Sequence, residues 1–247
     1  MAETVLETKG LSKRFGGLLV LDGIDFKLGR GARHAIIGPN GSGKSTFVNV
    51  VTGLLPASAG AVSLFERDIT RATAQERTHA GLVRSFQINT LFPALNPLQS
   101  VVAALCQRDG ITGPSLKPMI RYPAEIEEAM ALLARYGLAE DALTTTRLLP
   151  YGKQRLLEIA LGVALKPKVL VLDEPAAGLS TEQGRTVFGH LLDLPADTAI
   201  VFIEHDMHLV FGYADRISVF ADGRLLAQGT PDEVRRDAAV KAAYLGT

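Results

Sequence analysis

Residues 38–46 read Gly38-Pro39-Asn40-Gly41-Ser42-Gly43-Lys44-Ser45-Thr46. This satisfies the spacing G-x-x-x-x-G-K-S/T, and the flanks supply the context the motif needs: the apolar run Ala35-Ile36-Ile37 before it and a helical stretch, 46–52, after it. The glycines let the backbone curl so that successive N–H groups and the N-terminus of the following helix point at phosphate oxygens. Lys44 adds a point charge for β- and γ-phosphates, and Ser45 offers an oxygen to Mg²⁺. All nine residues are expected to line a triphosphate site.

Working outward, Val169-Leu170-Val171-Leu172 and Ala199-Ile200-Val201-Phe202-Ile203 are uninterrupted apolar runs like the one before the loop. Such runs fit strands covered on both faces, as in a parallel sheet flanked by helices, so the core is α/β. A triphosphate site also needs a carboxylate at the end of another strand to hold the metal, and residues 169–172 run straight into Asp173-Glu174. Asp173 is expected to position Mg²⁺ through its water shell, and Glu174 to polarise an attacking water.

The first 30 residues and Ala61-Val62-Ser63-Leu64-Phe65 read as shorter strands, expected in a small antiparallel sheet beside the core. From about Ile88 to Leu165 the character changes, with Pro93, Pro97, Gly110, Gly113, Pro114 and Pro118 preceding a helical pattern from Glu125 to Tyr136. Gly137-Leu138 is a plausible stop for that helix. These residues are expected to form a helical insertion. Thr230-Pro231-Asp232-Glu233 carries an N-cap, a proline at the first helical position and a capping-box glutamate, which predicts a terminal helix from about Pro231.

Composition narrows the function classes. The 247 residues, 47% apolar, suffice for a buried core and exclude disorder as the main state. Lys plus Arg and Asp plus Glu both number 26, so no net field draws the chain to nucleic acid or an anionic bilayer. Cys106 is the single cysteine, which excludes an intrachain disulfide and multi-cysteine metal sites; its apolar neighbours predict burial as a packing residue. No signal peptide and no run of about 18 apolar residues is visible, so the expected location is cytosolic.

In order after the Lys44 loop, Gln87, Leu149-Pro150-Tyr151-Gly152-Lys153-Gln154, Asp173-Glu174-Pro175 and His205 resemble the ATP-binding subunit of ABC transporters over essentially the whole chain. More narrowly, Val83-Arg84-Ser85-Phe86-Gln87, Tyr151-Gly152-Lys153-Gln154-Arg155, Glu174-Pro175-Ala176-Ala177-Gly178-Leu179, Glu204-His205-Asp206-Met207 and the ending Ala243-Tyr244-Leu245-Gly246 resemble one of the two ATPases of branched-chain amino-acid importers. The resemblance implies a RecA-like P-loop NTPase core, an antiparallel β subdomain and an inserted α-helical subdomain in one ABC ATPase domain, 1–247. The nucleotide-binding core would be 1–87 and 166–247, and the helical subdomain 88–165.

It further implies ATP and Mg²⁺ as ligands, with Phe15 stacking on adenine, Gln87 sensing the metal or water, and His205 contacting the γ-phosphate while holding Glu174. Two ATP-binding subunits, identical or paralogous, would pair head to tail, so that Tyr151, Gly152, Lys153 and Gln154 of one complete the ATP site of the other. The helical spacing of Leu156, Leu157, Ile159, Ala160, Val163 and Ala164 starts a helix near Tyr151-Gly152, which suits this role. Integral-membrane permease subunits and an extracytoplasmic solute-binding protein would complete an importer, placing this chain on the cytoplasmic face of the membrane. No nucleic-acid partner is expected.

The signature segment departs from the family's Leu-Ser-Gly-Gly-Gln. Pro150 stands at the Ser position, Tyr151 at the first Gly and Lys153 at the Gln, and a proline supplies neither hydroxyl nor N–H. Lys153 would replace lost hydrogen bonds with charge. Ser180 stands where many relatives have Asp or Asn.

Overall fold

The apolar runs on either side of the phosphate loop become the middle of a sheet. The computed structural model describes residues 3–85, 91–111 and 118–242. Gln87, Phe86 and the closing stretch from Ala243 lie outside the described residues. The strands are β1 (Thr4–Phe15), β2 (Leu18–Gly29), β3 (Arg33–Ile37), β4 (Ala59–Leu64), β5 (Arg67–Asp68), β6 (Leu82–Arg84), β7 (Val169–Asp173), β8 (Ala199–Ile203), β9 (Arg216–Ala221) and β10 (Arg224–Gly229). The helices are α1 (Lys44–Val51), α2 (Ala74–His79), α3 (Pro97–Arg108), α4 (Pro123–Arg135), α5 (Tyr151–Ala164), α6 (Thr181–Leu192), α7 (Met207–Tyr213), α8 (Pro231–Arg236) and the single turn α9 (Ala238–Val240).

Among the described residues one sheet has the order β10-β9-β3-β8-β7-β6. From β9 to β6 every neighbour is parallel, and β10 closes the β9 edge as an antiparallel hairpin. Every residue of β8 is buried, and β7 is buried except at Asp173, as strands covered on both faces require. The carboxyl ends of β3, β8 and β7 therefore lie side by side, with the phosphate loop, His205 and the Asp173-Glu174 pair following them. In parallel sheets that edge is where ligands bind.

The second sheet, β2-β1-β4-β5, is antiparallel throughout, as expected. Its first two strands are longer than expected, twelve residues each, because Gly10 and Gly23 at positive φ are absorbed as register shifts rather than ending the pairing. Ile24, Phe26 and Leu28 alternate inward from β2 and join Phe47 and Val48 of α1 in one core. Phe47 meets Phe26 at 5.4 Å and Phe220 of β9 at 5.3 Å between ring centroids, so α1 is wedged between the two sheets.

The far end of α1 is held by Arg77 of α2. Its fully buried guanidinium donates to the carbonyls of Val50, Val51, Thr70 and Ala72 at 2.5–3.0 Å. These include the last carbonyls of α1, where a cation also complements the helix dipole.

The chain divides into two compact units. One gathers the residues up to Arg84, Lys168–Ala177 and those from Asp193 on; the other comprises Ser85–Pro167 and Gly178–Leu192. This differs from the expected helical insertion, 88–165, by taking in α6 as well. The reason is packing: α6 buries Val187, Phe188 and Leu191, and its His190 ring lies 5.0 Å from that of Tyr136.

Within the helical unit α3 opens with an Asn96/Gln99 capping box and Pro97 at its first turn. At the end of α4, Gly137 takes φ 67, its N–H donates to Ala134 and that of the fully buried Leu138 to Leu133, the paired bonds of a Schellman stop. Cys106, expected to be buried, is half-exposed: Val102 and Leu105 take the inward positions of α3 and the next residue turns away. Thr230 caps α8 through the expected box with Glu233.

Candidate active site

Ile37 ends β3 and Lys44 begins α1, so residues 38–43 form the intervening loop. Two of its glycines admit no side chain. Gly38 has φ 150, and a Cβ there would lie 2.2 Å from the Phe220 carbonyl oxygen; Gly43 has φ 102, and a Cβ would meet Leu21 at 2.9 Å. Gly41, at φ 80, faces open space beside the exposed Pro39 and Asn40. Ser42 is buried, and its Oγ finds no hydrogen-bond partner among the described residues. Thr46 is half-buried and Ser45 exposed in the first turn of α1.

The Lys44 side chain folds back over this loop, its Nζ donating to the carbonyls of Gly38 at 2.8 Å and Pro39 at 3.0 Å. Burial pulls its pKa below the ordinary lysine range, while the charges of Glu174 and Asp173 oppose that shift. The ammonium thus sits within the field of both carboxylates.

Asp173 ends β7 with little exposure, and its Oδ2 accepts from Arg84 Nη2 at 2.7 Å. The other arm of Arg84 donates to Asn49 Oδ1 on α1, so one guanidinium bridges the helix after the phosphate loop and the Asp173 carboxylate. Glu174 follows at φ 51, a conformation uncommon for a residue with a side chain, and its N–H donates to the Ile203 carbonyl at 3.0 Å. Its Oε1 lies 3.0 Å from His205 Nε2. Beneath them, buried Glu204 accepts from the N–H groups of Ala176 at 2.8 Å and His205 at 3.0 Å.

The structure therefore brings together Lys44, Ser45, Asp173, Glu174 and His205 at one sheet edge. These donors suit a hydrated divalent cation carried by phosphates. Mg²⁺ usually takes one or two protein oxygens and fills its remaining positions with water and phosphate oxygens. The exposed Ser45 hydroxyl, the Asp173 carboxylate and the cradle that a Cβ at Gly38 would fill match that pattern. Phe15, at the end of β1, is 47% exposed with Lys13 Nζ 5.0 Å from its ring centroid, so it offers ring surface to a base. Arg84, Asn49 and Glu204 carry no role in the sequence reading. The legible signal was an arginine and an acid at the ends of apolar strands, where neither has reason to be buried unless paired.

The expected signature residues belong to the helical unit. No side chain caps the start of α5, so its first N–H groups have no side-chain partner there. Tyr151 is half-exposed, accepts from Arg155 and lies against Gly178, where a Cβ would approach its ring at 3.1 Å. Two further side chains of the segment bond within the chain. Lys153 Nζ donates to Asp141 at 2.5 Å, and Gln154 Nε2 donates to the Leu149 carbonyl at 2.8 Å. Both bonds lie within the helical unit.

A family model for the ABC transporter matches residues 21–177, spanning the phosphate loop, the signature segment and the Asp173-Glu174 pair. The chain belongs to the ABC transporter ATP-binding family. A second model, for the branched-chain amino acid ATP-binding cassette transporter, matches residues 224–247. The high-affinity branched-chain amino acid transport ATP-binding protein LivG of Salmonella typhimurium is 38% identical over this whole chain and 99% of its own. BraF of Pseudomonas aeruginosa, with the same description, is 34% identical over 100% and 99% of the two chains. Among solved structures, the ADP conformation of MJ1267, an ATP-binding cassette of an ABC transporter, superposes with a TM-score of 0.85, 30% identity and 99% coverage of both chains. This ABC cassette is accordingly a nucleotide-binding ATPase whose hydrolysis is coupled to transport. Among the described residues no helix is long and apolar enough to cross a membrane.

Proposed function

We propose that this chain is the ATP-hydrolysing subunit of an importer for branched-chain amino acids or a closely related small solute. The observation that carries the reading is the 3.0 Å pairing of Glu174 with His205 beside the Lys44 loop, in a chain whose final residues match the branched-chain cassette model. The similarity to LivG and BraF supports the solute class.

In this reading the loop N–H groups and Lys44 hold the β- and γ-phosphates of ATP, and Phe15 stacks on the adenine. Mg²⁺, held by the Ser45 hydroxyl and through its water shell by Asp173, with Gln87 sensing the metal or water, would neutralise charge on the phosphate oxygens. Glu174 accepts a proton from the water that attacks the γ-phosphorus as the bond to the ADP oxygen breaks, giving ADP and phosphate. His205 keeps the Glu174 carboxylate aimed and contacts the γ-phosphate. Catalysis by positioning and charge stabilisation is what phosphoryl transfer requires of a protein.

A second ATP-binding subunit, a copy or a paralogue, pairs head to tail, and the uncapped start of α5 at Tyr151-Gly152 supplies backbone N–H groups to its γ-phosphate. Permease subunits in the membrane hold the pair on the cytoplasmic face and receive solute from an extracytoplasmic binding protein. Co-reconstitution with those subunits in vesicles tests the reading: ATP-dependent leucine uptake is the expected result, and ATP hydrolysis without uptake of any branched-chain amino acid would refute the solute assignment.

A further inference from the structure

Glu204 is a carboxylate at the end of a fully buried strand, itself 4% exposed, with no cationic side chain bonded to it among the described residues. Burying a carboxylate is costly unless its oxygens are satisfied. Here they are satisfied by backbone alone. Oε1 takes the Ala176 N–H at 2.8 Å and Oε2 the His205 N–H at 3.0 Å, with the Asp206 N–H also contributing. Ala176 lies two residues beyond Glu174, and His205 is the residue that meets Glu174. The carboxylate therefore joins the two loops whose side chains pair above it.

The loop needs such a tie. Glu174 sits at φ 51, a strained conformation that persists only where the surroundings over-determine it. The Glu174 N–H is fixed to Ile203 at the end of β8, and the next fixed point along the loop is the Ala176 N–H on Glu204. A glutamine in its place would turn an NH₂ group toward one of these N–H donors and leave that donor unpaired.

We propose that Glu204 is a positioning residue for ATP hydrolysis, its buried carboxylate tying the loop after Glu174 to the His205 backbone so that the Glu174–His205 pair stays in register. This rests on the reading of Glu174 and His205 as the hydrolytic pair. Burial raises the pKa of Glu204 and the N–H donors of Ala176, His205 and Asp206 oppose the shift, while the nearby charge of Glu174 adds to it.

The test is a double-mutant cycle in the full chain, with turnover expressed per nucleotide site counted by a fluorescent ATP analogue. Glu204→Gln is expected to lower kcat by about 10- to 100-fold, the scale of a small misplacement of a reacting group, with KM for ATP within about twofold of wild type. In a His205→Ala background the same change is expected to cost less than about twofold, since the tie then has nothing to aim. Glu204→Asp, which keeps the charge with shorter reach, is expected to recover part of the rate and replaces the Gln variant if that one binds no nucleotide. Wild-type kcat in Glu204→Gln with a slow His205→Ala, or the full loss repeated in the His205→Ala background, would overturn the role of Glu204 alone. A His205→Ala variant as fast as wild type would overturn the hydrolytic pair and this proposal together.

Discussion

Arg84 holds Asp173: its Nη2 lies 2.7 Å from Oδ2, with the carboxylate 9% and the guanidinium 15% exposed. The same guanidinium reaches Asn49 on α1, so the helix after the phosphate loop and the strand carrying the carboxylate are coupled through one side chain. Removing it leaves a nearly buried carboxylate unpaired. Arg84→Ala is expected to lower the unfolding free energy by about 1–3 kcal/mol, with Arg84→Lys intermediate. Urea unfolding measures this, and coincident midpoints for all three proteins would show that the pair is energetically silent.

Glu174→Gln and Lys44→Ala separate chemistry from binding. The first keeps the shape and removes the base, so hydrolysis is expected to slow by about 100-fold or more while ATP affinity persists and closed dimers accumulate on size exclusion. The second removes the charge on the phosphates and is expected to weaken Mg-ATP binding by about tenfold or more, roughly 1.4 kcal/mol. Unimpaired turnover in Glu174→Gln would take that residue out of the role of base.

Two glycines three residues apart predict unlike outcomes. At Gly38 an added Cβ meets the Phe220 carbonyl oxygen at 2.2 Å in addition to its φ of 150, whereas at Gly41 it meets nothing within 4 Å. Gly38→Ala is expected to cost about 2–5 kcal/mol and Gly41→Ala about 1–2, the strain of positive φ alone. Thermal melts of the two variants read the contrast directly.

His34 on β3 supplies a pH dependence away from the site. It is fully buried, its ring 4.7 Å from Phe26 and its Nε2 2.7 Å from Ser218 Oγ, and burial, reinforced by the charge of Arg216, pushes its pKa down to about 3. An unfolded histidine titrates near 6.5, so below about pH 6.5 the unfolded chain binds a proton that the folded one refuses. Stability from this group is full above that pH and falls as pH drops toward 3, by up to about 1.4 kcal/mol per unit. His34→Gln is expected to flatten the slope of urea midpoints between about pH 6.5 and 5. An unchanged slope would assign the effect elsewhere.

The sheet edge was legible because each of its parts is local in sequence. The loop at Lys44, the acid pair after residues 169–172 and His205 after residues 199–203 each follow an apolar run, and strand ends in a parallel sheet fall together. What escaped was set by contacts distant in the chain. Arg84 and Asp173 are 89 positions apart, Ala176 and Glu204 28, and neither pairing leaves a periodicity to read. The bond from Lys153 to Asp141 was likewise hidden, its partners lying 12 positions apart. The grouping of α6 with the helical residues left no mark in the sequence either: a helix between two core strands looks like an ordinary crossover, and its contact with Tyr136 is tertiary.

Arg77 grips the last carbonyls of α1 with a guanidinium that is 2% exposed. A rod clamped at its tail and wedged along its length by Phe47 cannot slide to meet an incoming phosphate. The Lys44 side chain, by contrast, is held among the described residues only by two carbonyls of its own loop.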